Sequence, residues 1–220
     1  MCYNFPLEVK RSPTVVNQIT AKIRKWQHQL HAKTISPNQT WGLENRAEGF
    51  VQLFEKWLTV PSRILDIGGG WGFYADPLMR RGHKTTVLDV VKPGFQKAPV
   101  VLYGGKRIPF PDKSFDASLL ITMLHHVPEP EELIREAKRV TRNTLIVVED
   151  IYNHALGRAW TIVRDQLYNF EFFGHPRQFK KGKEWITFFE RMGFTLLEEK
   201  RVYTWIAGLR ILNGVFVFKI

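Results

Sequence analysis

Two carboxylates and a run of glycines carry the first chemical signal in this chain of 220 residues. Ile64-Leu65-Asp66-Ile67 reads as a strand, and Gly68-Gly69-Gly70-Trp71-Gly72 follows it at the entry to a helix. Glycine lets the backbone turn tightly and approach a ligand with no Cβ in the way. A helix N-terminus adds unpaired N–H groups. A dinucleotide site pairs such a loop with a pyrophosphate at the spacing G-x-G-x-x-G. Counted from Gly68, the last position of that pattern is Phe73, so the spacing here is G-x-G-x-G, and Asp66 is a poor neighbour for a pyrophosphate. An acid there suits a ligand with an ammonium group. Asp89 closes the next apolar run, Thr85–Asp89, where a carboxylate can accept both hydroxyls of a ribose. A nucleoside with a cationic amino-acid tail satisfies both carboxylates, and S-adenosylmethionine is that kind of molecule.

The surrounding pattern supplies the elements that must hold these groups. Short apolar runs near 63–67, 84–89, 99–102, 116–121 and 144–149 read as strands, with helices near 72–81 and 130–140 between them. Alternation of this kind implies a parallel sheet covered on both faces. Phe194–Trp205 and Val215–Lys219 read as two closing strands with no helix between them, so they are expected to pair antiparallel. Before the sheet, Val16, Ile19, Ile23, Trp26 and Leu30 form one stripe of an amphipathic helix over Thr14–Lys33. A second helix runs from about Glu44 to Leu58, with Ala47, Phe50, Val51, Phe54 and Leu58 inward. The organisation predicted is a helical cap over 1–60 and an α/β domain over 61–220, with an aromatic-rich insertion at about 152–192. That insertion reads as two helices around a loop at Gly174–Pro176.

The stretch from Arg63 to Glu149 resembles the class I S-adenosylmethionine-dependent methyltransferases, and in detail their type 11 group, which includes quinone-biosynthesis enzymes. The glycine loop matches the family's first motif and Asp89 its second. Ile108-Pro109-Phe110-Pro111-Asp112-Lys113-Ser114-Phe115-Asp116 is similar to the "LPFPDxSFD" lead-in to the fourth strand, and Leu124-His125-His126-Val127-Pro128 to the "LHHV" stretch after it. The resemblance implies a Rossmann-like, seven-stranded, mostly parallel sheet with an antiparallel last strand and helices on both faces. It also implies that Gly68, Gly69, Gly70, Trp71 and Gly72 surround the methionine side of S-adenosylmethionine. Asp66 would orient the amino group through the loop or a water, and Asp89 would take the ribose, with Val90 beside it. Lys106 and Arg107 fall in the loop on the adenine side, and Thr122 and Met123 pass near the sulfonium. Two departures stand out. The loop Tyr103-Gly104-Gly105-Lys106-Arg107 lacks the acid that often binds the adenine amino group, and Thr141-Arg142-Asn143-Thr144 replaces a Pro-Gly-Gly turn.

Several residues have a plainer reading beside the functional one. Trp71 either covers the methionine moiety or anchors the helix. His125 and His126 are candidates for contact with cofactor or acceptor, and weak candidates for a general base; the alternative is a structural histidine before the helix that starts near Pro128–Glu129. Glu149 and Asp150 end the fifth strand on the ligand edge. They could orient an acceptor, with Asp150 a weak catalytic candidate, or hold a divalent metal with a histidine. Capping of the next helix is preferred and no metal is predicted. His154 and His175 are weaker still. Tyr152, Trp160, Tyr168, Phe170, Phe172 and Phe173 read mainly as core, with Phe170–Pro176 the candidate wall or lid of an acceptor pocket. Lys180-Lys181-Gly182-Lys183 reads as a solvated turn.

Composition narrows the classes further. The single cysteine, Cys2, excludes an internal disulfide framework and a Cys-rich metal site, and it lies far from any place for a cytosine-C5 nucleophile. Thr122-Met123-Leu124-His125 is not the Asn/Asp-Pro-Pro-aromatic element common in enzymes that methylate exocyclic base amines. No secretory signal or membrane span is read, so a cytoplasmic protein is expected, with peripheral membrane contact of the first helix as the departure from packing on its own domain. The expected acceptor is a small aromatic or apolar molecule. The net charge of +11, concentrated in the flanks, keeps an RNA-modifying enzyme as the first alternative, and a non-catalytic S-adenosylmethionine-binding protein as the second. Nothing in the sequence points to an oligomeric state.

Overall fold

The computed structural model describes residues 42–93, 95–169 and 178–220. The predicted first helix, Phe170–Pro176, His175 and Cys2 lie outside the described residues. Seven strands form one sheet: β1 (Arg63–Ile67), β2 (Lys84–Asp89), β3 (Val100–Leu102), β4 (Phe115–Ile121), β5 (Thr141–Asp150), β6 (Thr195–Ile206) and β7 (Leu209–Lys219). Their order is β3-β2-β1-β4-β5-β7-β6. The pairs from β3 through β5 are parallel, and β7 is antiparallel to both β5 and β6. This is the mostly parallel sheet expected, with β7 as the strand that reverses.

Burial on both sides explains why β1, β4 and β5 are nearly continuous apolar runs. Leu65, Ile67, Leu120, Leu145 and Val147 point to one core, where α3 (Pro130–Val140) and α5 (Gly182–Arg191) supply Leu133, Ile134, Trp185 and Phe189. Their alternates Ile64, Leu119, Ile121, Ile146 and Val148 point to the other core, under Phe50, Val51 and Phe54 of α1 (Leu43–Phe54). The period of two therefore sends Asp66 to the α1 face, together with Ile64. α2 (Ala75–Arg80) packs beside β2, and α4 (Ala155–Asn169) follows β5. Among the described residues no helix is long and apolar enough to cross a membrane.

Three boundaries differ from expectation. The helix predicted over 72–81 starts only at Ala75, because Gly72 has φ 80 and the chain is still turning there. The predicted turn at Thr141–Thr144 is absent, since α3 runs straight into β5. Thr141 Oγ1 donates to Ala137 O at 2.6 Å and lies 2.6 Å from Ser118 Oγ, a buried polar pair that ties the helix end to β4 and stands in for a loop. β7 begins at Leu209 rather than Val215, because β6 and β7 pair along their whole length to a tight Ala207-Gly208 turn with φ 48 and 78. Two side chains of α3 hold the start of the Ile108–Asp112 segment: Arg139 donates to the carbonyls of Ile108 and Phe110 at 2.9 Å each and to Asp112 at 2.8 Å, and Glu136 Oε2 accepts from Ile108 N at 2.8 Å.

Candidate functional site

Chain order leaves β1 toward β2 on one side and toward β4 on the other, so a crevice opens at the carboxyl ends of β1 and β4. Open α/β sheets bind ligands at such a switch point. A cavity lies there, floored by Gly68, Gly69, Gly70, Ile121 and Thr122, and walled by Trp71, Phe73, Tyr74, Leu43 and Ile206. Polar groups close its far side: Arg46, His125, His126, Asp150, Arg164 and Asp165. Thr122 has φ 48, a conformation a β-branched residue rarely adopts. Such strain tends to collect at functional sites.

The glycine loop bends around Asp66. The carboxylate is fully buried, and neither oxygen has a hydrogen-bond partner. Burial, reinforced by the charge of Asp89, pushes its pKa up to about 7. A Cβ on Gly69 would lie 2.3 Å from Asp66 Oδ2, so no other residue fits at position 69 without displacement. Asp89 reaches the same loop from β2: its Oδ2 accepts from Gly70 N at 2.9 Å and its Oδ1 from Val91 N at 3.0 Å. These features fit S-adenosylmethionine. A buried carboxylate without a partner is stabilised by a nearby cation, and a side-chain-free loop leaves room for a ligand's backbone-like tail.

Not all of the predicted cofactor residues converge. Gly68, Gly69, Gly70, Trp71 and Thr122 line the cavity, and Met123 packs its side chain against Gly68. Asp66 lies beneath the loop and Asp89 behind it. Gly72 faces away: a Cβ there would meet Ala98 and Val87, so this glycine serves close packing against β2. Val90 is 57% exposed, and a Cβ on Gly105 would be 3.5 Å from it, which sets Val90 and the 103–107 loop together at the sheet's edge. Lys106 and Arg107 are exposed in that loop and do not reach the cavity.

The polar side of the cavity holds two networks. In the first, Asp150 takes a hydrogen bond from Arg164 and another from Asn213 Nδ2 at 2.6 Å, and its Oδ1 lies 3.7 Å from Arg46 Nη2. Burial works to raise the Asp150 pKa, but Arg164, Arg46 and His125 outweigh it and hold the carboxyl below its usual range. Arg46 also donates to Tyr74 Oη at 2.7 Å and to Thr204 Oγ1 at 3.2 Å. Asp150 thus clamps α1, α4 and β7 together, instead of capping the helix after β5. In the second network, Glu149 Oε1 accepts from the N–H groups of Met123 and Leu124 at 3.0 and 2.7 Å, and Oε2 lies 2.6 Å from His125 Nδ1. Burial opposes charge on His125, yet Glu149 and Asp165 together raise its pKa to about 10. Charge on the ring is thus favoured over the neutral form, which counts against His125 as a general base. His126 is the more exposed of the two, and its Nε2 lies 4.0 Å from Asp165 Oδ1.

Sequence reasoning missed Arg46, Tyr74, Arg164 and Asp165. Arg46 had a signal: it falls four residues before Phe50, on the apolar stripe of α1, where a charge must find buried partners. Arg164 and Asp165 sit in a helix that turns Thr161, Arg164 and Asp165 inward and leaves Leu156, Trp160, Val163 and Leu167 exposed, the reverse of the usual amphipathic reading, which takes Trp160 as core.

Residues 65–148 match the family model described as "Methyltransferase domain". An uncharacterized methyltransferase from Mycobacterium sp. (strain KMS) is 35% identical over 86 residues, which is 36% of this chain and 34% of the relative. A demethylmenaquinone methyltransferase from Paenarthrobacter aurescens (strain TC1) is 28% identical over 110 residues, 46% of this chain and 43% of that protein. The matched stretch thus spans between a third and a half of these relatives. Among solved structures, the 1,6-didemethyltoxoflavin-N1-methyltransferase of Burkholderia thailandensis superposes with a TM-score of 0.65 at 16% identity. The match covers 99% of this chain and 92% of that one. At that identity the likeness is one of fold.

Proposed function

We propose, from the premise that residues 65–148 are a class I S-adenosylmethionine-dependent methyltransferase domain of the type 11 group, that this chain transfers a methyl group to a small, aromatic or apolar acceptor. One observation carries the reading: the unpartnered, buried carboxylate of Asp66 beneath a glycine loop that Asp89 holds in place. When bound, S-adenosylmethionine supplies a methyl group on a positively charged sulfur, an activated donor that needs no further acid. The chain's own tasks are to bind, to align and to exclude water. Gly68, Gly69 and Gly70 would hold the amino-acid portion and Asp89 the ribose, while Asp66 would balance its positive charge from below. Trp71, Phe73, Tyr74, Leu43 and Ile206 give the cavity an apolar wall, which supports an acceptor of the same character. A base is required only if the acceptor is protonated at working pH. The RNA-directed alternative has the net charge in its favour and no feature of the cavity.

Asp89→Ala tests the assignment. The expected result is a loss of S-adenosylmethionine affinity worth about 1–3 kcal/mol, roughly 5- to 150-fold in Kd by calorimetry, because charge-assisted bonds to the loop and the sugar both disappear. An unchanged Kd in a folded variant would remove Asp89 from the site.

A further inference from the structure

We infer that His125, His126 and Asp165 form a binding site for a divalent transition-metal ion, opening on the acceptor side of the cavity. His125 and His126 stand side by side on the short 3-10 turn Leu124–His126 that follows β4, with ring centroids 4.0 Å apart. Asp165 comes from α4. His125 Nε2 is 3.5 Å and His126 Nε2 4.0 Å from Asp165 Oδ1, and one ligand atom from each of the three residues lies within 4.8 Å of the others. All three side chains line the cavity.

Two further features distinguish this cluster from a chance meeting of polar groups. His125 is 1% exposed, and its Nε2 makes no hydrogen bond of ordinary geometry, its neighbour being Asp165 Oδ1 at 3.5 Å. Its opposite nitrogen is fixed: Nδ1 lies 2.6 Å from Glu149 Oε2, Glu149 is itself held by two backbone N–H groups, and the ring stacks on Phe179 at 4.5 Å. A carboxylate behind a histidine is how metal-binding imidazoles are oriented and made more basic. Glu149 is therefore the group that sets the ligand, and Asp150, occupied by Arg164 and Asn213, takes no part.

Two imidazoles and one carboxylate on one side of an ion leave its remaining positions free. The donor set suits zinc, cobalt, manganese or iron(II) in preference to magnesium or calcium, which favour oxygen. The free positions would face the cavity that all three residues line, together with Thr122. An acceptor with a phenolic or enolic oxygen, or a neighbouring pair of them, could complete the coordination there. The ion would favour the deprotonated oxygen near neutral pH, as a Lewis acid does for bound water. This names an oxygen acceptor within the methyltransferase reading and, for acceptor chemistry, rests on it; the metal site itself does not.

The test uses the full chain, stripped with chelator and titrated with Co²⁺ in the absence of S-adenosylmethionine, followed by visible absorption and calorimetry. The expected result is one ion per chain with a d–d spectrum of mixed nitrogen and oxygen ligands. Asp165→Asn and His126→Ala should each weaken binding by roughly 100-fold or more, and Glu149→Gln by about 10- to 100-fold. Asp165→Asn is nearly isosteric, and His126 is partly exposed, so at least these two variants should keep the wild-type circular dichroism spectrum. Absence of stoichiometric binding, or binding that survives both substitutions, overturns the site. A parallel titration with S-adenosylmethionine separates the two readings: intact cofactor binding with no cobalt binding removes the metal alone, and cobalt binding with no cofactor binding removes the methyltransferase reading alone.

Discussion

Gly69→Ala is expected to raise the Kd for S-adenosylmethionine by roughly 5- to 150-fold and to lower the thermal midpoint of the apoprotein. The added Cβ would lie 2.3 Å from Asp66 Oδ2, 2.5 Å from its Cγ and 2.9 Å from Oδ1, closer than atoms of real side chains approach. Asp66 is short and fully buried, with Tyr74 and α1 on its face of the sheet, so it cannot swing aside. The loop must move instead. Forcing atoms into a packed interior costs about 1–3 kcal/mol, and a loop that must be pushed back to receive the ligand loses about that much binding energy, roughly 5- to 150-fold in Kd. Gly70→Ala is the informative comparison. Gly70 has φ 52 and nothing within 4 Å of its Cβ position, so the substitution costs only the ~1–2 kcal/mol of a left-handed alanine. That variant should fold close to normally and lose cofactor affinity through its intrusion on the cavity floor. Calorimetry and thermal melts on both variants give the check. Equal behaviour of the two, or wild-type affinity in Gly69→Ala, contradicts the placement of the loop over Asp66.

The contrast between these neighbouring glycines shows what a sequence can and cannot reveal about such a site. The repeated glycines after an apolar run are legible because only one residue type tolerates both the turn and a close approach, and the order of strands follows from apolar runs buried on both faces. Spacing alone could not say that Gly72 turns away from the cavity to pack on Ala98, or that Gly69 covers a carboxylate, because both depend on which face of β1 each neighbour occupies. The motif places Lys106 and Arg107 at the cofactor, whereas the loop that carries them stays outside the cavity. Asp165 and Arg164 were invisible for a different reason. They come from a helix that buries its polar face and exposes Leu156, Trp160, Val163 and Leu167, and their partners His125 and Asp150 lie 40 and 14 residues away, joined only when β4 and β5 become neighbours. The paired histidines stand out in the sequence, but which of the two is buried is decided by Glu149 behind His125 and Phe179 across it.

Asp66 gives the second large effect, through pH. In the apoprotein its carboxyl keeps its proton up to about pH 7, whereas in an unfolded chain it loses it near 3.8. Between those values the native state binds more protons than the unfolded one, so this group makes stability fall as pH rises, by ~1.4 kcal/mol per unit, until the slope vanishes above pH 7. Asp66→Asn cannot ionise and escapes that penalty. Subtracting wild-type from variant melts should therefore show little difference at pH 4 and an apoprotein up to ~4 kcal/mol more stable at pH 8 in the variant. Cofactor binding should run the other way. A cation above the loop favours the ionised carboxylate, so wild-type binding should release a proton and tighten by as much as about tenfold per pH unit between pH 5 and 7. Asp66→Asn should lose that slope and bind more weakly at pH 8, in spite of its greater stability. A residue that destabilises the empty protein while strengthening its complex is a binding residue rather than a packing one. If the variant gains no stability at pH 8, or binds with the wild-type pH profile, the buried charge plays no part in holding the ligand.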